Sequence, residues 1–246
     1  MKILVCISKV PDTTTKISFT DNDTKFNEDK VQFIVNPYDE WYALVRGLEL
    51  KEAQGGSVSI LSVGGADYDP IIRKALAIGA DDAIRINAEP KDAYYTASQI
   101  AAFAKDKGYD LILFGKETID YNGAQVGGMV AELLDLPYVS IASKLEVSDG
   151  LARVERDVQA GKEVLEGKLP LVISCAKGMA EQRIPNMRGI MAARTKPLKV
   201  EEAAEVEALV GIEKYSLPPA KGDVKLIDPE NAEELIDLLH NEAKVI

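Results

Sequence analysis

The chain has 246 residues, of which 46% are hydrophobic and 28% charged, proportions typical of a protein that buries a full core and not of a disordered chain. Its 29 Lys and Arg against 40 Asp and Glu give a net charge of -11, which argues against a general nucleic-acid-binding surface. No apolar run approaches the roughly 20 residues of a membrane span, and the single histidine, His240, excludes a histidine-based triad or a multi-histidine metal site.

Strand and helix patterns alternate along the first 135 residues. Apolar runs predict strands at 2–7, 57–63, 83–86 and 109–114. Amphipathic patterns predict a helix that follows Asn36–Asp39 and ends near residue 55, with Asn36 or Asp39 as its cap, and further helices over 70–78, 93–105 and 124–134. Because strands that alternate with helices pair in parallel, this order predicts a doubly wound, mostly parallel α/β sheet with both faces covered.

The pattern changes after residue 144. Apolar residues on either side of Ser148-Asp149-Gly150 predict an antiparallel hairpin, and 169–175 is predicted as the last core strand. Residues 177–197 have no clean period, while Asp228 before Pro229 predicts a capped helix over 229–242. We expect a main domain at 1–194 and an extension at 195–246 that wraps a partner, because a terminal helix behind a long loop seldom packs on its own core.

The cysteines and the N-terminal segment bear on the compartment. Cys6 and Cys175 each lie in an apolar, strand-like run, which predicts two buried free thiols in a reducing environment. The short apolar start lacks the length and cleavage site of a signal peptide, so we expect a cytoplasmic location, or a mitochondrial matrix location after processing.

Three segments that follow predicted strands are the candidates for ligand binding: 8–14, 64–68 and 115–128. Ligands of open α/β sheets bind outside the carboxyl ends of the strands, where these segments converge. The third is rich in glycine and leads into a helix, whose free first-turn amides are suited to an anion. It lacks a Walker-type Gly-Lys-Ser/Thr, and Gly64-Gly65 lacks the spacing of the dinucleotide fingerprint, so phosphoryl transfer and nicotinamide binding both lose support. A purely structural connection remains an alternative for such a glycine-rich turn.

Several separated motifs together resemble the beta subunit of electron transfer flavoproteins. In the first half they are Val5–Asp12, Asn36-Pro37-Tyr38-Asp39, Ala75–Asp81 and Gly115–Asp120. In the second half they are Val154–Asp157, Gly161-Lys162-Glu163, Lys168-Leu169-Pro170 and Arg183–Met191. Their order and spacing cover most of the chain, although no single motif is specific.

The resemblance implies a Rossmann-like, adenine-nucleotide-binding subunit of a heterodimer. The larger alpha subunit would bind most of a redox-active FAD, while this chain would bury a structural AMP and serve as an electron carrier, not an enzyme. Tyr38 would lie near the flavin or, alternatively, pack in the core; a second aromatic of some members is Thr13 here. Gln125, Val126 and Gly127 would lie near the phosphate. The full cofactor-binding set carried over is Cys6, Asn36, Pro37, Tyr38, Asp39, Val63, Gly115, Lys116, Glu117, Thr118, Ile119, Asp120, Tyr121, Asn122, Gly123, Ala124, Gln125, Val126 and Gly127, with no metal ligands.

The resemblance also implies surfaces for two kinds of partner. Residues 184–194 resemble a recognition loop for acyl-CoA dehydrogenases or other flavin dehydrogenases, with Met187 as its anchor and Ile184, Ile190 and Met191 beside it. Electrons would then pass to a quinone reductase or the respiratory chain, as in fatty acid oxidation. Arg156 and Glu163 would contact the mobile flavin domain of the alpha subunit. The alternatives are a methionine packed under its own loop and ordinary solvated surface charges.

Two other functions remain open. A bifurcating member would carry a second FAD in place of AMP; Ala124-Gln125-Val126-Gly127 favours that class, whereas the bulky Tyr121 in Tyr121-Asn122-Gly123 would crowd the second flavin. A stand-alone ATP- or AMP-binding stress-type module would place its nucleotide at 115–128. That module would not need the long C-terminal tail, and no catalytic Lys or His accompanies the turn.

Overall fold

A nine-stranded sheet forms the centre of the molecule in the computed structural model, which describes all 246 residues. The strands are β1 (Lys2–Cys6), β2 (Lys9–Pro11), β3 (Phe19–Thr20), β4 (Lys25–Phe26), β5 (Phe33–Val35), β6 (Ser57–Val63), β7 (Asp82–Asn87), β8 (Leu111–Gly115), β9 (Tyr138–Ser148), β10 (Leu151–Val158), β11 (Gly161–Lys168), β12 (Leu171–Cys175) and β13 (Leu198–Glu202). The helices are α1 (Asp39–Gln54), α2 (Asp69–Ile78), α3 (Ala93–Ala104), α4 (Val126–Leu134), α5 (Met187–Ala193) and α6 (Ala232–Asp237).

The strand order is β11-β10-β9-β12-β8-β1-β6-β7-β13. The seven neighbouring strands β9, β12, β8, β1, β6, β7 and β13 pair in parallel. At the other edge of the sheet, β10 pairs antiparallel with both β9 and β11. Two further two-stranded sheets, β2 with β5 and β3 with β4, lie outside the main sheet. The predicted mostly parallel α/β fold with an antiparallel addition is therefore confirmed.

Each face of the sheet has its own core. Ile3 and Val5 join the cluster that includes α1 and α2, whereas Leu4 and Cys6 join the cluster of α3 and α4. Successive side chains of a strand point to opposite faces, so a continuous apolar run such as β1 is suited to a sheet that is covered on both sides.

Four local features differ from the sequence predictions. The hairpin extends into a three-stranded meander, although its turn lies where predicted, with Asp149 and Gly150 at φ 52° and 75°. Residues 187–193 form a helix within a segment that lacks a clean period. Leu198–Glu202 adds an edge strand beside β7, and neither Asn36 nor Asp39 caps α1, because Tyr38 occupies the cap position and no side chain bonds there.

The C-terminal segment runs over the surface. The predicted helix at 229–242 is present as a 3-10 turn, α6 and a π-helical turn, and the Asp228 side chain accepts a hydrogen bond from the Glu230 amide at 3.0 Å, as a cap does. Leu235 and Ile236 of α6 are exposed. None of the helices combines the length and the apolar character that crossing a membrane requires.

Candidate functional site

The order of the strands reverses between β1 and β8, which pair side by side at the middle of the sheet. From β1 the chain continues to β6 and β7 on one side, whereas β8 is followed by strands on the other side. The connections therefore leave in opposite directions and open a crevice at the carboxyl ends of the two strands. The crevice lies beyond the last residues of these strands, Cys6 of β1 and Gly115 of β8, next to Ser8 and Lys116.

The Gly115–Gly127 segment forms a long turn between β8 and α4. Asn122 and Ala124 both have left-handed backbones, with φ 49° and 52°, and residues 120–125 are exposed. The helix begins at Val126, two residues later than predicted, and no side chain caps its N-terminus. Its first amides therefore have no helical or capping partner, which suits the binding of an anionic group.

A buried asparagine fixes this turn. Asn36 is fully buried; its amide nitrogen donates to the Glu117 carbonyl at 2.9 Å, and its side-chain oxygen accepts from the Ile119 amide at 2.9 Å. These two bonds, which we call the Asn36 clamp, join residues 81 and 83 positions apart. The clamp explains why Asn36 does not cap α1, since its side chain is bonded to the turn.

Tyr38, which follows the clamp, has a strained backbone and an exposed ring. Its φ of 65° and ψ of -93° are unusual for a bulky residue, and its side chain is 60% exposed, so it does not pack in the core. Strain of this kind is retained where the surroundings enforce it, often at functional sites. Tyr38 borders a cavity of 270 Å³ whose lining is Pro37, Tyr38, Asp39, Tyr42, Lys116, Glu117, Ile119, Asn122 and Lys177.

The cavity brings together two of the predicted segments, 36–39 and 115–122, that are distant in sequence. Lys116 forms an ion pair with Glu117 at 2.7 Å, so it is not a free cation. Burial raises the pKa of Asp39, against the opposing effect of Lys116. The predicted residues Cys6 and Val63 lie at the ends of neighbouring strands, buried beneath the crevice.

Glu40 is a central residue of the site that the sequence predictions missed. It is buried, and its carboxyl oxygens accept hydrogen bonds from the Ser8 amide at 2.8 Å and from the Ser8 hydroxyl. Burial raises its pKa to about 8, despite these hydrogen bonds from Ser8. Glu40 thereby joins the start of α1 to the end of β1, and an acidic residue inside an apolar helical face was the only sequence signal for it.

Gly115 permits this arrangement by its lack of a side chain. A Cβ atom there would lie 2.7 Å from the Glu40 Cγ and 2.8 Å from the Glu40 backbone nitrogen. The end of β8 and the first turn of α1 are therefore in direct contact under the crevice.

The predicted recognition segment is a short helix fixed at its base. Gly189 of α5 lies so close to α2 that a Cβ atom would be 2.3 Å from the Ala77 carbonyl oxygen. Asn186 caps α5 by accepting from the Gly189 amide at 2.8 Å, and Arg73 of α2 donates to the Ala193 carbonyl at 2.7 Å. Arg183, before the helix, forms a bidentate ion pair with Glu52 at 2.6 and 2.9 Å.

The outer side of this segment is apolar and exposed. Ile184 is 88% exposed and Met187 73% exposed, with Met191 and Ile190 beside them. Met187 is therefore not packed under its own loop. We call Ile184, Met187, Ile190 and Met191 the α5 patch.

Arg156 and Glu163 face each other across β10 and β11. The Arg156 guanidinium bonds to Glu163 and, at 3.0 Å, to the Ser140 hydroxyl. Both side chains are partly exposed. They bond to each other within the chain, and their contact with a partner stays a prediction.

A larger cavity of 510 Å³ lies between α1 and the meander. Several of its charged side chains pair with one another, as Lys144 does with Glu146 at 2.9 Å and with Glu155 at 3.4 Å. None of the predicted site residues lines it. The crevice at the carboxyl ends of β1 and β8, which we call the switch-point crevice, is therefore the better candidate site.

The remaining candidate chemistry is limited. Both cysteines are free and buried, as predicted, and burial raises the pKa of each thiol. No group of three or more His, Cys, Asp or Glu side chains is arranged to hold a metal ion.

Comparison with known proteins assigns the chain to a family. The family described as "Electron transfer flavoprotein domain" matches residues 23–206. The electron transfer flavoprotein subunit beta of Bacillus subtilis (strain 168) is 38% identical, with full coverage of both chains. The corresponding subunit of Syntrophomonas wolfei is 36% identical over 100% of this chain and 98% of its own. The acryloyl-CoA reductase electron transfer subunit gamma of Anaerotignum propionicum is 32% identical over 97% and 98%. The chain therefore belongs to the electron transfer flavoprotein family, among its beta subunits, as an electron-carrier subunit and not an enzyme.

Proposed function

We propose that the chain pairs with an electron transfer flavoprotein alpha subunit, buries a structural AMP in the switch-point crevice and completes the site of the alpha subunit's FAD. The observation that carries this proposal is the Asn36 clamp. It fixes the Gly115–Gly127 turn beside the uncapped N-terminus of α4, where a phosphate is favoured by free amides and by the helix dipole. The residues that would hold AMP are those of the carried-over set.

The residues of the crevice suit binding more than chemistry. Lys116 is neutralised by Glu117, Glu40 is bonded to Ser8, and both thiols are buried. When bound, FAD supplies the redox chemistry, so the protein contributes binding, orientation and electrostatics. Tyr38, exposed at the rim of the 270 Å³ cavity, is the residue that we propose to lie against the flavin.

The α5 patch is proposed as the surface that docks to acyl-CoA or other flavin dehydrogenases, from which electrons pass on to a quinone reductase or the respiratory chain. Contacts with α1 and α2 hold the base of the segment rigidly, so its exposed methionines are presented without an ordering cost for the backbone. Methionine side chains adapt to different apolar surfaces, which suits a subunit that serves several partners.

Residues 195–246 are proposed as an extension that wraps the alpha subunit. Beyond residue 216 the segment exposes many apolar side chains, notably Leu217, Val224, Leu226, Leu235, Ile236 and Val245. Arg156 and Glu163, at the outer edge of the meander, are proposed to contact the flavin domain of the same partner.

The first experiment is a count of cofactors. The chain is co-expressed with its alpha subunit, the purified complex is denatured, and the released FAD and AMP are quantified by chromatography. We expect one FAD and one AMP per heterodimer. A complex without adenine nucleotide in this subunit would overturn the proposed function.

A second FAD in place of AMP is the alternative that one observation favours. The Tyr121 side chain is 62% exposed and bonded to Tyr215, so it does not fill the crevice that a second flavin would need. Two FAD and no AMP in the same count would identify this alternative. Adenine nucleotide bound by the chain alone, without any alpha subunit, would instead indicate a stand-alone module.

Replacing Met187 by alanine tests the docking surface. We expect kcat/KM for reduction of the complex by an acyl-CoA dehydrogenase to fall about tenfold, because truncation of a central apolar anchor removes much of the energy of an interface. FAD content is expected to remain unchanged. Leu133→Ala, which truncates an exposed leucine on α4 outside the α5 patch, is the matched control. Equal kcat/KM values for wild type and Met187→Ala would contradict the proposal.

A further inference from the structure

Tyr215, in the C-terminal segment, contacts two parts of the chain that are distant in sequence. Its ring stacks on Phe19 of β3 with a centroid distance of 4.9 Å and an interplanar angle of 12°. Its hydroxyl lies 2.9 Å from the hydroxyl of Tyr121, at the apex of the Gly115–Gly127 turn. We call these three side chains the aromatic clasp.

The hairpin of β3 and β4 provides the fixed base of the clasp. The Tyr215 amide donates to the Asp23 carbonyl at 2.8 Å, and Lys214 lies 3.7 Å from the Asp23 carboxylate. At the open end of the β3–β4 hairpin, the Asn27 backbone amide donates to the Ser18 carbonyl at 2.9 Å, and the Asn27 side-chain amide donates to the Ser18 hydroxyl at 3.2 Å. Tyr215 is thus held by its backbone and its ring, which leaves its hydroxyl directed to Tyr121.

The clasp is the sole hydrogen-bonded tether of the turn's apex. The Asn36 clamp holds the first part of the turn at residues 117 and 119, and α4 holds its end at Gln125. Between these points, the Tyr121–Tyr215 pair is the only hydrogen bond that joins residues 120–125 to a segment outside the turn and α4.

We propose that Tyr215 is a positioning residue that holds the nucleotide-binding turn closed and so slows the release of the adenine nucleotide. The inference rests on the proposed function, because it concerns the same crevice. Its physical basis is that residues 120–125 carry two left-handed residues and no buried side chain, so a single hydrogen bond to a fixed ring decides how often the apex opens.

The test is the exchange of radiolabelled AMP into the purified heterodimer. Tyr215→Phe keeps the stacking on Phe19 and loses the hydroxyl, and Tyr121→Phe removes the other partner of the same bond. Each is expected to speed exchange by about threefold to tenfold, as loss of one hydrogen bond implies. The double variant is expected to match the single ones, because both remove one interaction. Tyr215→Ala, which also loses the stacking, is expected to be faster still.

The control is Tyr94→Phe, a tyrosine of α3 whose hydroxyl makes no hydrogen bond within the chain. Its exchange rate is expected to equal that of wild type. The melting temperatures of the phenylalanine variants are expected to agree within about 5 °C, since a threefold to tenfold change in an equilibrium constant moves Tm by only a few degrees in a chain of this length. Unchanged exchange in both single variants, or rates that multiply in the double variant, would overturn the clasp while leaving AMP binding intact. A wild-type complex that contains no AMP would overturn the proposed function instead.

Discussion

Gly115→Ala is expected to lower the free energy of unfolding by about 3 kcal/mol and to weaken nucleotide retention, because an added Cβ atom overpacks the contact between β8 and α1. The added Cβ atom would lie 2.7 Å from the Glu40 Cγ, 2.8 Å from the Glu40 nitrogen and 3.1 Å from the Asp39 carbonyl carbon. Two of these atoms belong to the backbone, so no rotamer change relieves the overlap. The first turn of α1 must move away from β8, and Tyr38 moves with it.

Urea unfolding and the AMP content of the purified heterodimer measure the two effects. The matched control is Gly167→Ala on β11, where no heavy atom lies within 4 Å of the position that the added methyl group would take. That variant is expected to keep wild-type stability and AMP content. Wild-type values of both quantities in Gly115→Ala would show that the contact between β8 and α1 is looser than the structure describes.

Glu40 is expected to make the protein lose stability as the pH rises. Its pKa is raised from 4.5 to about 8 in the folded state, chiefly by burial, so the folded protein holds a proton that the unfolded chain releases. Its stabilising contribution is therefore fully present below pH 4.5 and is lost as the pH rises through 8. A raised pKa of this size corresponds to about 5 kcal/mol, of which about 4 kcal/mol falls between about pH 5 and pH 9.

Glu40→Gln isolates this effect. Glutamine keeps an oxygen acceptor for the Ser8 amide and offers its own amide to the Ser8 hydroxyl, but it carries no proton to release. Urea unfolding at a series of pH values is expected to show a flatter profile for the variant, with the two curves separating between about pH 5 and pH 9. Glu166→Gln, an exposed substitution on β11, is the control. Parallel profiles for wild type and Glu40→Gln would contradict the expectation.

The elements of the sheet were predictable because their signals are local. β6 begins and ends where the apolar run Ser57–Val63 does, and the turn at Asp149-Gly150 lies where its residue types require it. α5 and β13 were missed because contacts with distant parts of the chain, and not local patterns, stabilise them. The seven residues of α5 are stabilised by the approach of Gly189 to α2 and by Arg73, and β13 is a short, charged edge strand that needs β7 beside it.

The sequence by itself determined the α/β class and the segments at the carboxyl ends of the strands, because apolar periodicity and glycine spacing are properties of neighbouring residues. It indicated the family in another way, through separated motifs whose order resembles that of electron transfer flavoprotein beta subunits. Only the tertiary structure decided what individual side chains do at the ends of the strands. Asn36 bonds to a turn 81 residues away, Glu40 is buried against Ser8, and Tyr215 reaches Tyr121 across 94 positions. Such contacts depend on which strands lie side by side at the switch point, and no local pattern encodes that adjacency.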